Sequence, residues 1–295
     1  MTVFCLGEVL VDCAGNSCFP GGAPANAAYH IAALGQRAEI VSRVGEDAAG
    51  RDLTGWLGSH SVGTRFLQSD ANQATGSVNV LPGPRYEIAA PAAWDFIEQT
   101  DAASAAATDA GAVVFGTLAQ RQPVSRRTIR ALVETARASG VPALCDLNLR
   151  APFFDEETIL WSLRHCDVLK MNREELDIVS GLLGAVGPRA DLFAGLLREF
   201  GLARGVLTES EEGVLICEDG RVSRHAAEVV TDIADSVGAG DAYTAVLAVA
   251  LARRIPLSTA AAPAAVLSAF VVSKPGATSA IPSELVARIN AMLGV

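Results

Sequence analysis

The chain has 295 residues, 50% of them hydrophobic and 19% charged, which is enough apolar material for one sizeable core and too little charge for a disordered chain. A formal net charge of -10 excludes the clustered Lys and Arg surfaces that bind nucleic acid, so a small-molecule partner is expected. No stretch reads as a membrane span or as an export signal with a basic flank and cleavage site, and a cytoplasmic location is the expectation.

Residues 3–12 form a near-continuous apolar run of strand length, the pattern of a parallel strand covered on both faces. Asp12 closes it, with a carboxylate aimed at the crevice where open α/β sheets bind ligands. Gly21-Gly22-Ala23-Pro24-Ala25-Asn26 then sets two glycines and a proline before a small-residue helix running to Gly35. Glycines there let a ligand lie against backbone, and Asn26 with Asp12 suits adjacent hydroxyls. Residues 38–44 read as a second strand, and 45–50 as a turn into a helix through Leu57. Residues 75–81, a Pro82-Gly83-Pro84 turn and residues 85–88 read as a hairpin that interrupts the alternation and serves as a lid.

A helix is expected from Trp94 to about Ala107, followed by strands at 112–118, 143–148, 168–171 and 205–208 that alternate with helical stretches. That rhythm means a parallel sheet with helices on both faces. Helices at 239–253, 257–273 and 283–293 complete one domain, residues 1–295, with the lid at 75–88. The six cysteines, Cys5, Cys13, Cys18, Cys145, Cys166 and Cys217, show no C-x-x-C pair and no zinc-ligand spacing. Reduced thiols are expected, with Cys5, Cys145 and Cys217 as small core residues.

Candidate chemistry concentrates at Asp235-Ser236-Val237-Gly238-Ala239-Gly240-Asp241. Gly238 and Gly240 allow a tight turn and a close ligand approach, and the helix starting there offers N–H groups and its positive dipole end to an anion. Asp241 in that first turn either takes a proton from an attacking hydroxyl, holds a metal, or is a favourable helix-end charge. Neither a G-x-x-x-x-G-K-[ST] loop nor a G-x-G-x-x-G after the first strand occurs, which excludes a P-loop NTPase and a standard dinucleotide-binding domain.

Gly7-Glu8 with Asp12, Gly21-Gly22-x-x-x-Asn26, Val44-Gly45-Glu46-Asp47 with Gly50, Asn172-x-x-Glu175, Asp235-x-x-Gly238-Ala239-Gly240-Asp241 and Gly276-Ala277 with Pro282 stand in one order along nearly the whole chain. In that order they resemble the ribokinase (PfkB) family of carbohydrate kinases. Phe115-Gly116-Thr117-Leu118, Asp146-x-Asn148-x-Arg150 and Pro91-Ala92-Ala93-Trp94-Asp95 look most like bacterial fructokinases.

The resemblance implies a three-layer α/β ribokinase-like fold, with a mostly parallel central sheet, helices on both faces and a small β lid. It implies ATP as donor with Mg²⁺, and a sugar held by Asp12, Gly21, Gly22, Asn26 and Arg150. Asp241 would be the base, with Gly238, Ala239 and Gly240 forming the anion cradle, and its position at a helix N-terminus gives it an expected low pKa. Asn172, Glu175, Thr208, Ser210, Gly213 and Gly240 would meet the nucleotide, Glu175 would reach Mg²⁺ through water, and Asp235 would bind a monovalent cation such as K⁺ unless Lys274 supplies the charge. The run Thr208-Glu209-Ser210-Glu211-Glu212-Gly213 departs from the family's Thr-Leu-Gly-x-x-Gly, with Ser210 in place of a Gly and extra acids around it. Fructose is the favoured substrate. The rivals are 2-keto-3-deoxygluconate, whose carboxylate Arg150 or Arg85 would face; a nucleoside, disfavoured by a lid with little aromatic surface beyond Tyr86; and a catalytically silent sugar-binding regulator. Relatives often dimerise through the lid, so a homodimer is left open.

Overall fold

The N-terminal apolar run builds two strands rather than one. β1 (Thr2–Leu6) lies in the main sheet, the chain breaks at Gly7, and β2 (Leu10–Ala14) enters a second sheet. The run looks continuous because Leu6 and Val9, on either side of the break, are both buried. This computed structural model describes the backbone of residues 1–14, 17–81 and 85–295, and their side chains except those of 14, 17, 80, 81, 85 and 86. The expected Pro82-Gly83-Pro84 turn and the side chains of Arg85 and Tyr86 lie outside the described residues.

β1 pairs in parallel with β4 (Arg37–Gly45) on one side and β8 (Ala112–Phe115) on the other. Beyond β4 stands β5 (Gly63–Asp70); beyond β8 stand β9 (Ala143–Asp146), β10 (Val168–Asn172) and β11 (Arg204–Thr208), all parallel. β12 (Val214–Glu218) and β13 (Arg221–His225) add an antiparallel edge, so that nine described strands run in the order β13-β12-β11-β10-β9-β8-β1-β4-β5. β5, β12 and β13 were not expected from the sequence.

Alternate residues of the central strands feed opposite cores, as the two-residue period of a strand requires. Val3, Cys5, Val114, Leu144, Val168 and Val206 pack toward α1 (Ala23–Ala33), α2 (Ala48–Ser59), α8 (Ala239–Arg253), α9 (Leu257–Val272) and α10 (Ser283–Leu293). Phe4, Leu6, Phe115, Cys145, Leu169 and Leu207 pack on the other face toward α3 (Asp101–Thr108), α4 (Pro123–Ala138), α5 (Glu156–His165), α6 (Arg173–Leu182) and α7 (Arg189–Glu199). The result is the three-layer α/β architecture expected, with α8 buried on all sides by its Ala, Val and Leu residues. No described helix is long and apolar enough to cross a membrane.

The strand order reverses direction at β1, between β8 and β4, and in such sheets ligands bind outside the carboxyl ends of the strands at that point. Covering that end is the lid, a sheet of four described strands in the order β3-β2-β6-β7, with β3 at Ser17–Gly21, β6 at Gly76–Leu81 and β7 at Arg85–Ile88. The expected hairpin is therefore half of the lid, and the segment around Asp12 supplies the rest. In this second hairpin Cys13 and Cys18 stand opposite one another and form a disulfide, which corrects the expectation of six reduced thiols. Cys5, Cys145, Cys166 and Cys217 are free and buried.

The helix expected over 94–107 divides into a 3-10 turn, Ala93–Phe96, and α3, which Thr100 caps by accepting the Ala103 N–H at 3.1 Å. The break serves the lid. Arg121 grips Asp95 with two hydrogen bonds of 2.8 Å, donates to the Ala89 carbonyl just beyond β7 at 2.6 Å, and stacks 3.9 Å over the Trp94 ring. A guanidinium fork matched to a carboxylate is well suited to fasten a lid strand to the body.

Candidate active site

α8 begins at Gly238, which adopts a left-handed φ of 81° and lies so close to Ala277 that a Cβ would stand 2.5 Å from that side chain. No side chain caps this helix start, so the N–H groups of Ala239, Gly240 and Asp241 are open to an anion. Asn26, in the first turn of α1, donates from Nδ2 to Asp241 Oδ2 at 2.8 Å. Two helix starts 215 residues apart thereby meet. The Asn26 Oδ1 is buried without a partner among the described residues, which leaves an acceptor for a ligand hydroxyl.

Asp12 does not end a strand of the main sheet; it reaches the site from β2 of the lid, opposite Phe19 of β3. Its carboxylate occupies the space that a side chain at Gly21 would fill. Glu8, in the link between β1 and β2, is only 3% exposed, and the charge of Arg150 acts on Glu8, Asp12 and Asp241 alike. Burial pushes the Glu8 carboxyl up to about 7 and those of Asp12 and Asp241 up to about 6; the Asp241 charge adds to the first two. The low value expected for Asp241 is thus corrected. Burial, then the neighbouring Asp146 charge, outweigh Asn26, Lys170 and Arg150, and leave a stronger base that is still mostly ionised at pH 7.

Behind the cradle Lys170 donates to both Asp146 oxygens at 2.8 and 3.0 Å and to the Gly240 carbonyl at 3.2 Å. Burial alone would lower the Lys170 pKa, but Asp146 raises it on balance, so the ammonium stays charged. Neither Glu8 nor Lys170 had been assigned a role, and Asp146 only a place in a motif. A signal existed. Leu144 and Val168 face the α8 core, so Asp146 and Lys170, two residues further along each strand, face it too.

Asn172 and Thr208 end β10 and β11 side by side in register. Asn172 caps α6: its side chain accepts the Glu175 N–H at 2.9 Å and Glu175 accepts the Asn172 N–H at 2.9 Å, while the other Glu175 oxygen accepts the Leu149 N–H at 2.9 Å. Both oxygens of Glu175 thus hold backbone in place. Ser210 adopts φ 52°, a left-handed conformation that a Gly would take more readily, and opens a short turn to Gly213. Two of the three acids around it are paired: Glu209 with Arg189 at 3.2 Å and Arg224 at 2.6 Å, and Glu212 with Arg173 at 3.1 Å.

Asp235 accepts the Val237 N–H at 3.0 Å and the Gly276 N–H at 3.3 Å, which ties the turn before α8 to the 273–279 segment. Lys274 does not neutralise it; that ammonium lies 5.8 Å from the Phe270 ring centre. A narrow cleft is lined by Glu8, Gly116, Thr117, Asp146, Asn148 and Thr244. The larger hollow, about 370 Å³ over α5 at Trp161, contains none of these residues.

An open helix start, a carboxylate beside it and an unpartnered acceptor in front are the parts that phosphoryl transfer to a small hydroxyl compound requires. The pattern of the pfkB family carbohydrate kinases matches residues 3–284, and the chain belongs to that family. It is 30% identical over 259 residues to a fructokinase of Escherichia coli, covering 82% of each chain. It is also 30% identical over 274 residues to the bifunctional protein HldE of Alcanivorax borkumensis, covering 90% of this chain and 54% of that protein. The chain spans about half the length of the HldE proteins it matches. Among solved structures, fructokinase with bound ATP from Xylella fastidiosa superposes with a TM-score of 0.87 at 21% identity, over 100% of this chain and 99% of that one, and bears out the fold.

Proposed function

We propose that the chain transfers the γ-phosphoryl group of ATP to a hydroxyl of a neutral sugar, with D-fructose to fructose 6-phosphate the favoured reaction. The observation that carries this reading is the Asn26–Asp241 bond, which sets the hydroxyl-binding segment directly against the base and the cradle. Asp12, Asn26 and the backbone at Gly21 and Gly22 hold the sugar. Asp241 accepts the hydroxyl proton as the new O–P bond forms, and the N–H groups of Ala239, Gly240 and Asp241 meet the charge on the transferred group. ATP lies along the ends of β10 and β11, near Asn172, Thr208, Ser210 and Gly213. Asn172 and Glu175, whose carboxylate also accepts the Leu149 and Asn172 N–H groups, would hold the waters of a Mg²⁺ bound with the nucleotide, an ion that would neutralise phosphate charge.

Charge in the pocket favours a neutral sugar over an acid one. Asp12 and Asp241, mostly ionised at pH 7, and a half-ionised Glu8 oppose Arg150, while Lys170 is already paired with Asp146, so a substrate carboxylate would meet net repulsion. Phe19, 56% exposed and on the same face of the lid as Asp12, supports an aromatic riboside as the second reading, because the lid carries more aromatic surface than Tyr86 alone. Turnover of a panel with ATP tests both. Fructose is expected to show a higher kcat/KM than ribose, adenosine or 2-keto-3-deoxygluconate; a clear win by the acid sugar would replace this reading.

A monovalent cation beside Asp235 belongs to the same proposal. Its half-buried carboxylate makes no salt bridge among the described residues and accepts one N–H on each oxygen, which leaves lone pairs for a cation such as K⁺. Potassium, compared with an equal ionic strength of a bulky organic cation, is expected to raise both Tm and turnover of the wild type and to do neither for Asp235→Ala. Equal values in both salts for the wild type refute the site.

A further inference from the structure

We infer that Lys170, with Asp146 and Thr244, is the positioning element of the phosphate cradle: it fixes and polarises the peptide between Gly240 and Asp241 so that its N–H meets the transferred phosphoryl group. The inference rests on the kinase reading above and adds three residues to it. Lys170 is 6% exposed, Asp146 7% and Thr244 1%, so all three are buried and bonded to one another and to α8.

The ammonium has three protons and finds three acceptors: the two Asp146 oxygens and the Gly240 carbonyl, at 2.8, 3.0 and 3.2 Å. In the first turn of a helix a carbonyl points along the axis and the N–H of the same peptide points out of the helix start. A cation on the Gly240 oxygen therefore withdraws charge from the amide whose N–H, that of Asp241, faces the anion, and makes it a better donor. Thr244, one turn further along the same face of α8, donates to Asp146 Oδ2 at 2.5 Å. The pair thus grips α8 at two points on one face. A Cβ on Gly240 would come within 3.0 Å of the Lys170 Nζ, so the smallest residue at that position is what admits the lysine to the carbonyl.

Removing Lys170 alone would strand Asp146 in the core, so the test neutralises both partners at once, in Lys170→Met with Asp146→Asn, which keeps an acceptor for Thr244. The variant is expected to lower kcat ~10-fold or more with sugar KM within about threefold, the signature of an interaction made in the transition state. Affinity for ADP with aluminium fluoride, a mimic of the transferred group, should fall by a similar factor, with affinity for ADP alone unchanged. A folded double variant with kcat and mimic affinity at wild-type values overturns the inference. Should the double variant not fold, Thr244→Val decides: it keeps the shape, removes the hold on α8, and is expected to lower kcat and mimic affinity about threefold at unchanged KM. Wild-type values for Thr244→Val overturn the assignment. A wild-type protein that phosphorylates nothing in the sugar panel refutes the kinase reading instead, so the two failures are distinct.

Discussion

Replacing Asp241 with Asn is expected to lower kcat by ~10²-fold or more, with sugar KM and folding close to wild type. The introduced amide has the size of the carboxylate, and its oxygen can still accept from Asn26 Nδ2, so the 2.8 Å contact between the two helix starts survives. What is lost is the proton acceptor and its charge. The cradle N–H groups remain, so a residual rate above the uncatalysed one should persist. The measurements are steady-state turnover by ADP release and a thermal melt of the same preparation. Turnover within a few-fold of wild type, on a protein shown to melt normally, would sink the assignment of the base.

The second large effect is a split between activity and stability in pH. With Asp241 as the proposed base, activity requires it ionised, so kcat/KM should fall about tenfold per unit below pH about 6, where its carboxyl titrates. Stability of the ligand-free protein should move the other way. Glu8, at about 7, and Asp12 and Asp241, at about 6, have folded pKa values above their ordinary ones because burial disfavours their charged forms. Such groups add stability that is complete below the unfolded value and is lost as pH rises through the folded one. Glu175, also pushed up by burial, adds in the same sense. From pH about 8 down to about 6 the fold should therefore gain about 1 kcal/mol or more. His30 ends the trend: buried and pushed down to about 4, it favours unfolding once the unfolded chain takes a proton below its ordinary value of 6.5. Denaturant titrations of wild type and Glu8→Gln across this range provide the test, and the variant should lose most of the gain. A wild type that is less stable at pH 6 than at pH 8 contradicts the burial argument.

Most of the central sheet was legible because its strands carry strong period-two or continuous apolar runs between helical stretches. The lid was only half legible. The 3–12 run conceals a change of sheet at Gly7, and periodicity reports burial without saying against what. β13, exposed over most of its length, carries no apolar signal at all. Among the candidate residues, Asp12, Asn26 and Asp241 were singled out because motif order brings them together, and Asn26 and Asp241 do touch. Glu8, named only within a motif, and Lys170 received no role because a charge inside an apolar run has no meaning until its partner, here Arg150 or Asp146, is placed beside it. The expected Asp241 pKa failed for a related reason: the helix end is a local property, whereas burial and the Asp146 charge come from the fold.

The Cys13–Cys18 bond has a consequence for the lid that concerns strand alignment. It closes a loop of sequence separation 5, too short for a large effect on the entropy of the unfolded chain. What it does fix is which residue of β3 stands opposite which residue of β2. A slip of one position would turn every side chain of β2 over, carrying Asp12 to the outer surface and Cys13 inward. β2 is also held by its ladder to β6, but β3, a short edge strand with a proline in it, is poorly protected against such a slip by hydrogen bonds alone. A covalent rung one residue from Asp12 removes that alternative, and the carboxylate proposed to meet the sugar keeps its side of the sheet whether or not a ligand is there to hold it.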